Sequence, residues 1–190
     1  PVVKGTDGKT SIKLASSFFK GLKKNSSMVI KAIAGGGGRG MRVVNSDSDL
    51  KDAMNRASSE AKAAFDSSDL YVEEYLKNYR HVEVQVLGDG KGNAVHMHER
   101  ECSTQRRHQK IIEISPAPGI NKELKQKMFN ASVHLIKETK YEGLATVEFL
   151  VDYSKGDFKF IECNARLQVE HTVTEAVLGL DLVKAQIQIA

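Results

Sequence analysis

Tryptophan is absent from this chain, and aromatic residues make up only 6% of it. A nucleic-acid surface draws on aromatic stacking platforms and a strong basic excess. Neither is present, since 28 Lys and Arg stand against 24 Asp and Glu, a net charge of +4. So mild an excess suits an anionic ligand, and no nucleic acid is expected as a partner. Cysteine is scarce too. Cys102 and Cys163 are the only two, with no CxxC pair and no His-rich partner at metal-ligand spacing. A disulfide framework is excluded, both thiols are expected to be free and buried, and a reducing compartment follows: the cytoplasm, or the mitochondrial matrix in a eukaryote. No apolar run approaches the ~20 residues of a spanning helix and no signal-peptide pattern opens the chain, so no membrane partner is expected. Repeats and low-complexity segments are lacking as well. A start at Pro1 without Met and an end inside a helical pattern at Ala190 read as an excised piece.

What is present suffices for a core: 190 residues, 41% hydrophobic and 27% charged, in one or two small domains. Ser11 to Lys24 reads as a helix with Ile12, Leu14, Ala15, Phe18, Phe19 and Leu22 inward. Strands are expected at Met28 to Ala32 and Met41 to Val44. Leu50, Met54, Ala57, Ala61 and Ala64 recur at helical spacing within Ser46 to Phe65. Leu70 to Leu76 is a strand. His81 to Val86 alternates strictly, and the turn Gly88 to Asn93 closes a hairpin onto Ala94 to Arg100. Pro116 to Gly119 breaks the chain, and Asn121 caps a helix running to about Glu138. A second hairpin joins Ala145 to Val151 with Phe158 to Asn164. Thr172-Val173-Thr174-Glu175 reads as a capping box for a last helix. Hairpins in place of repeated βαβ units make the fold α+β with antiparallel sheets.

Several stretches carry chemistry. If Glu162 to Glu170 is extended, Glu162, Asn164, Arg166, Gln168 and Glu170 share one face, and Cys163, Ala165, Leu167 and Val169 turn to a core. Such a line of carboxylates, amides and a guanidinium would grip a charged ligand; the alternative is an ordinary strand facing water. Glu148 and Glu162 lie opposite each other if the last hairpin centres near Lys155. Facing like charges are unfavourable unless a divalent cation joins them, and hard oxygen ligands describe Mg²⁺, or Mn²⁺, with the Asn164 amide oxygen beside them. Two exposed glutamates in another register are the alternative. Gly35-x-Gly37-x-x-Gly40 has the spacing of a dinucleotide fingerprint, yet a strand follows where that motif needs a helix, and Met41 stands where a Walker motif needs Lys. A glycine-rich flap over ATP phosphates, with Lys31 entering it, fits better; a surface loop remains open. Gln105 to Lys110 is a basic run, either a solvated loop or an oxyanion binder. His96, His98 and His134 read as structural.

Lys31 with the glycine flap, Glu73 to Leu76, the run Glu99 to Lys110 and the stretch Glu162 to His171 occur together and in order. The set resembles biotin carboxylase, the ATP-grasp component of biotin-dependent carboxylases, over nearly the whole chain. The resemblance implies an ATP-grasp fold, a fragment of a larger module, with residues 1–27 as a connecting segment and helix, 28–75 as the flap subdomain and 76–190 as the body. It implies an ATP-dependent ligase that carboxylates biotin with bicarbonate through carboxyphosphate. Lys31 and Gly35, Gly36, Gly37, Gly38 and Gly40 would hold ATP phosphates. Glu73 and the Leu76 backbone would meet adenine, with His81 and Gln105 near the ribose and His108 near the phosphates. Glu148 and Glu162, with Asn164, would bind the metal. Lys110, Arg166, Gln168 and Val169 would hold bicarbonate, with Glu170 its general base; Glu170, Arg166 and Lys110 would be the catalytic groups. Expected partners are a biotin carboxyl carrier domain and a carboxyltransferase in a parent enzyme that is a homo-oligomer. Thr172 and the ending Ala185 to Ala190 resemble pyruvate carboxylases more than acetyl-CoA carboxylases. Two departures stand out: Glu74 occupies a place where relatives carry Lys or Arg, and Asn25-Ser26-Ser27 replaces a Gly-aromatic-Pro approach to the flap. The family's further nucleotide-binding Lys and enolate-steadying Arg fall outside these residues, so the 190-residue chain is expected to be inactive alone. The rivals are another ATP-grasp ligase such as carbamoyl-phosphate synthetase, and a catalytically silent nucleotide-binding module.

Overall fold

The computed structural model describes residues 1–35 and 40–190, so the expectations at Gly36, Gly37 and Gly38 lie outside the described residues. The chain divides into two units. The smaller comprises Val3–Lys77 with Arg107–Gln109, and the larger Pro1–Val2, Asn78–Arg106 and Lys110–Ala190.

In the smaller unit, α1 (Ile12–Lys20) leads into β1 (Ser27–Ala32), β2 (Arg42–Val44), a 3-10 turn at Asp47–Asp49, α2 (Leu50–Phe65) and β3 (Leu70–Tyr75). The strands form an antiparallel sheet in the order β2-β1-β3. Met28, Ile30, Val44 and Val72 on the sheet pack with Leu50, Met54, Ala57 and Ala61 of α2 and Ala15 of α1. Helix α1 is shorter than its apolar pattern suggests. Ser11 caps its start by accepting from Leu14 N, and Gly21 ends it, its N–H reaching back to the carbonyls of the last turn. Ile12 and Leu14 stay 39% and 46% exposed, because a nine-residue helix buries only one stripe and Ala15 and its neighbours take it. Ala64, expected inward, is exposed.

The larger unit holds β4 (Arg80–Asp89), β5 (Ala94–Arg106), β6 (Gln109–Ile114), α3 (Lys122–Glu138), β7 (Glu142–Asp152), β8 (Asp157–Asn164), α4 (His171–Leu178) and α5 (Leu182–Ile189). Its antiparallel sheet runs β6-β5-β4-β7-β8. The basic run, for which a solvated loop and an oxyanion binder both stood open, spans the turn of a hairpin. Arg107 and His108, with φ of 52° and 65°, form the tight turn between β5 and β6. Even-numbered valines of β4 and odd-numbered Val147, Phe149 and Val151 of β7 face α3 and its Leu124, Met128, Phe129 and Ile136. Asn121 caps α3 by accepting from Leu124 N. On the opposite face, Met97, Leu144 and Leu182 form a smaller cluster with Leu167 and Leu178, which seats α4 and α5.

The expected capping box fails. Thr174 is buried within α4, Glu175 accepts from Leu182 N at 2.7 Å, and Asp181 is the side chain that caps α5. Two short helices replace the one expected because Gly179, at φ 67°, turns the chain between them. Cys102 is buried as expected, but Cys163 is exposed, since β8 is an edge strand of the sheet. His96 stacks on Phe129 at 3.9 Å, and its buried Nδ1 has no hydrogen-bond partner among the described residues.

Gly88 shows how tightly the sheet meets α3. A Cβ there would lie 2.2 Å from the Tyr141 carbonyl oxygen and 2.7 Å from Ile136 Cγ2. Backbone cannot step aside as a flexible side chain can. Gly88→Ala is therefore expected to destabilise the larger unit by about 1–3 kcal/mol, read as a lower urea midpoint. Gly156→Ala, on an open turn at φ 63°, meets nothing within 4 Å among the described residues and bears only the left-handed backbone strain of a residue with a Cβ, about 1 kcal/mol. Equal midpoints for the two variants would contradict this packing.

Candidate functional site

The alternation of β4 predicts a half-buried strand, but both of its faces are covered. Glu83 and Gln85 are as fully buried as Val82 and Val84. Burying a carboxylate requires a partner, and Arg100, directly opposite on β5, supplies one: its Nε donates to Glu83 Oε1 at 2.7 Å inside a pair with no exposure at all. The second Glu83 oxygen accepts from Lys110 Nζ. Lys110 also donates to Glu148 Oε1 at 3.0 Å and to Glu170 Oε1 at 2.7 Å, so one ammonium holds three carboxylates from β4, β7 and the start of α4. Burial alone would lower the Lys110 pKa, but the charges of Glu83 and Glu148 and the hydrogen bonds to Glu170 and Glu83 outweigh it and raise it. Burial likewise pushes Glu148 up, and the hydrogen bond and charge of His81, followed by Lys110, bring it down to about 2. For Glu170, burial is again overcome, chiefly by the Lys110 hydrogen bond, and its pKa falls.

His81 is gripped from both sides. The Gln105 amide nitrogen, which also donates to the Cys102 carbonyl, lies 2.8 Å from His81 Nδ1, and Glu148 Oε2 lies 2.6 Å from Nε2. With Gln105 donating to Nδ1, the ring proton sits on Nε2 and points at Glu148. His81, Glu83 and Glu148 place ligand atoms within 4.8 Å of one another, a metal-like trio that pattern reading did not single out. Lys110 already bonds both of its carboxylates, so a cation is in place there. The pair read from the last hairpin is a second candidate. Glu148 and Glu162 are register partners, and Asn164 Nδ2 donates to both, at 2.9 Å and 3.1 Å. Two facing carboxylates and an amide form a hard donor set that fits a divalent cation. In this structure the Asn164 amide nitrogen is the end that faces the two carboxylates.

Beyond Asn164 the extended reading fails. Strand β8 ends there, and the next residues form a turn whose Arg166 N–H bonds the Asn164 carbonyl at 2.8 Å. The single polar face is thus broken. Val169, expected inward, is 91% exposed, and Arg166 is exposed with Nη1 donating to the Leu167 carbonyl at 3.3 Å. Gln168 is buried and donates to Glu148 Oε1 at 3.1 Å, and its own Oε1 has no hydrogen-bond partner among the described residues. Glu170 stands at the cap position of α4 without capping it, and its side chain turns to Lys110 instead. Side-chain hydrogen bonds therefore link His81, Gln105, Lys110, Glu148, Glu162, Asn164, Gln168 and Glu170 in one network, and among the described residues the side chains of Arg166 and Val169 do not join it.

In the smaller unit, Lys31 Nζ bonds Glu73 Oε2 at 2.5 Å and lies 5.9 Å from the centre of the Tyr71 ring. Leu76 follows the end of β3. Gly35 is exposed, whereas Gly40 is buried with φ 71° near Ala32 and Ala61, a conformation that favours glycine. His108 is exposed in its turn.

Arg100 was missed as a site residue. Besides Glu83, its Nη1 donates to Gln85 Oε1 at 2.9 Å and Thr174 Oγ1 at 2.8 Å, and its Nη2 to Thr146 Oγ1 at 3.4 Å. The only signal available was an arginine inside an otherwise amphipathic strand. Among the described residues, no helix is long and apolar enough to cross a membrane.

Comparison with known proteins places this geometry in a family. The model of the carbamoyl-phosphate synthase L chain, ATP binding domain, matches residues 1–190. A pyruvate carboxylase of Staphylococcus aureus is 49% identical over 191 residues, covering 100% of this chain and 16% of the relative. Among solved structures, the biotin carboxylase of Campylobacter jejuni in a β-γ-ATP complex superposes with a TM-score of 0.94 at 46% identity, over 100% of this chain and 42% of that one. The biotin carboxylase domain of a Hydrogenobacter thermophilus 2-oxoglutarate carboxylase, in complex with MgADP, ADP and bicarbonate, gives a TM-score of 0.93 at 42% identity, over 100% and 41%. The chain thus spans less than half the length of each of these proteins. It belongs to the family of the carbamoyl-phosphate synthase L chain ATP-binding domain, and within that family to the biotin carboxylase type of ATP-grasp domain.

Proposed function

We propose that these 190 residues serve, within a longer enzyme, as part of a biotin carboxylase that uses ATP and bicarbonate to carboxylate biotin. The observation that carries the reading is Lys110 bonded to Glu83, Glu148 and Glu170. A half-buried ammonium beside a carboxylate of the family's base motif is an arrangement for holding a small anion next to a proton acceptor. Arg166, exposed and without a carboxylate partner among the described residues, can offer its planar fork to the same anion. Gln168, buried and held by Glu148, and the Val169 backbone would complete the surroundings of the anion.

Glu170 then removes the bicarbonate proton, the bicarbonate oxygen attacks the γ-phosphorus of ATP, and the bond to ADP breaks. Carboxyphosphate breaks at its C–O bond into CO₂ and phosphate, the phosphate takes the ureido N–H proton of biotin, and the freed nitrogen adds to CO₂. Lys31, the glycines 35–38 and 40, and His108 hold ATP phosphates; Glu73 and the Leu76 backbone meet adenine; His81 and Gln105 meet the ribose. Glu148, Glu162 and Asn164 would hold Mg²⁺ or Mn²⁺, which supplies charge neutralisation for the phosphates. A biotin carboxyl carrier domain and a carboxyltransferase, in a homo-oligomeric enzyme resembling pyruvate carboxylase, complete the cycle.

The test is ATP cleavage by the full-length enzyme that contains this segment, assayed with and without bicarbonate and biotin. Dependence on both is expected, and cleavage driven by glutamine or ammonia would instead favour a carbamoyl-phosphate synthetase. Glu162→Gln refines it. The exposed side chain keeps its shape and loses its charge, so folding should be unaffected while the Mg²⁺ needed for half-maximal turnover rises about tenfold, one charged ligand being worth on the order of 1.5 kcal/mol. Overlaid Mg²⁺ titrations would remove the hairpin as the metal site.

A further inference from the structure

Among the described residues, Arg100 makes no hydrogen bond to Lys110 or Glu170, yet it bonds Glu83, which holds Lys110, and Thr174, on the helix that Glu170 begins. Arg100 is wholly buried, and four side chains accept from it: Glu83 and Gln85 on β4, Thr146 on β7 and Thr174 on α4. Three of these acceptors belong to the sheet and one to a helix. Thr174 stands one helical turn beyond Glu170, on the same side of α4. Glu83, in turn, holds Lys110. One planar guanidinium therefore braces both members of the Lys110–Glu170 pair, each through one intermediary. Among the described residues, the sheet's cations make two hydrogen bonds to α4 and its cap: Lys110 to Glu170 and Arg100 to Thr174. When an anion enters and Lys110 turns towards it, the second remains to keep the first turn of α4 in place.

We propose that Arg100 is a positioning residue that, through Thr174 and Glu83, keeps Glu170 and Lys110 at the spacing bicarbonate requires. The inference rests on the reading of those two residues given above. Lysine cannot take over this role, because a point ammonium lacks the planar fork that meets acceptors on three elements at once. The hydroxyl of Thr174 matters here for its oxygen rather than its bulk, and that separates positioning from mere packing.

Removing Arg100 strands a buried carboxylate, so the informative variant is Thr174→Val, which keeps the shape and deletes the acceptor. In the full-length enzyme the KM for bicarbonate should rise about tenfold, while the KM for ATP stays within twofold. Thr174→Ser, which restores the oxygen, should return the bicarbonate KM to its original value. A misplacement of a fraction of an ångström suffices for an effect of this size, since about 1 Å can be worth a hundredfold. A bicarbonate KM unchanged by Thr174→Val would overturn the proposal, as would ATP and bicarbonate constants rising together with a lower melting temperature. Hydrogen exchange provides a readout independent of turnover. Amides of residues 171–178 should lose protection in Thr174→Val while those of β4 keep theirs, and unaltered protection of α4 would also overturn it. If the unmodified enzyme shows no bicarbonate-dependent cleavage, the function reading fails, and the exchange measurement alone decides whether Arg100 sets α4.

Discussion

Glu170→Ala in the full-length enzyme is expected to cut bicarbonate-dependent ATP cleavage by about a hundred- to ten-thousandfold, the range for losing a positioned general base. The fold should survive, because Lys110 keeps Glu83 and Glu148 as counter-ions when the third carboxylate is gone. Circular dichroism and ATP affinity should therefore match the parent while turnover vanishes. Glu170→Gln is expected to be nearly as impaired, since it retains the hydrogen bond to Lys110 and lacks the basic oxygen. Substantial turnover in either variant would mean that another group takes the bicarbonate proton. Glu170 is a weak base while Lys110 holds it, its pKa being lowered chiefly by that hydrogen bond against the effect of burial. An anion drawing Lys110 away would strengthen the base at the moment it is needed.

The largest expected effect on stability is that of Arg100→Met. The substitution approximates the volume of the side chain but leaves Glu83, which has no exposure, with Lys110 as its remaining counter-ion. Gln85, Thr146 and Thr174 each lose a donor as well. Breaking a buried pair from one side typically removes about 3–5 kcal/mol, a large share of the ~5–15 kcal/mol that holds a domain folded. Urea unfolding should show a much lower midpoint with little change in slope. The double variant Glu83→Leu with Arg100→Met should recover part of the loss, because no charge is then buried alone. A loss below about 1 kcal/mol for Arg100→Met would show that water reaches Glu83.

Much of the architecture was legible before the fold was known. Strict alternation at His81 to Val86, the glycine-rich turn after it, and Asn121 before a long amphipathic helix each carry a local physical rule that tertiary contacts did not override. Helix ends were less legible. Thr172 to Glu175 has the residues of a capping box, but hydroxyls and carboxylates serve distant partners equally well, and Arg100 and Leu182 N claimed Thr174 and Glu175.

The sequence by itself determined which groups are available: an α+β chain with antiparallel hairpins, and runs of carboxylate, amide and basic residues in the order of a biotin carboxylase. Tertiary structure alone decided which of them meet. In the first hairpin of the larger unit, the turn register Gly88↔Ala94, carried back without interruption, would set Glu83 opposite Glu99. A bulge between Val84 and Val86 shifts the pairing by one and brings Arg100 there instead. His98, at φ 62°, lies in the bulged segment. In the last hairpin the register Asp152↔Asp157 would set Ile161 opposite Glu148, and the irregularity between Glu148 and Phe149 brings Glu162 into place. Side chains alternate with a period of two, so one inserted residue exchanges the face of everything beyond it. A bulge arises from twist and packing across the sheet and has no fixed local signature. The same holds for the end of β8 at Asn164, where the chain leaves the sheet and buries Gln168 while exposing Val169, because α4 must reach the Arg100 guanidinium across the face of β4 and β7.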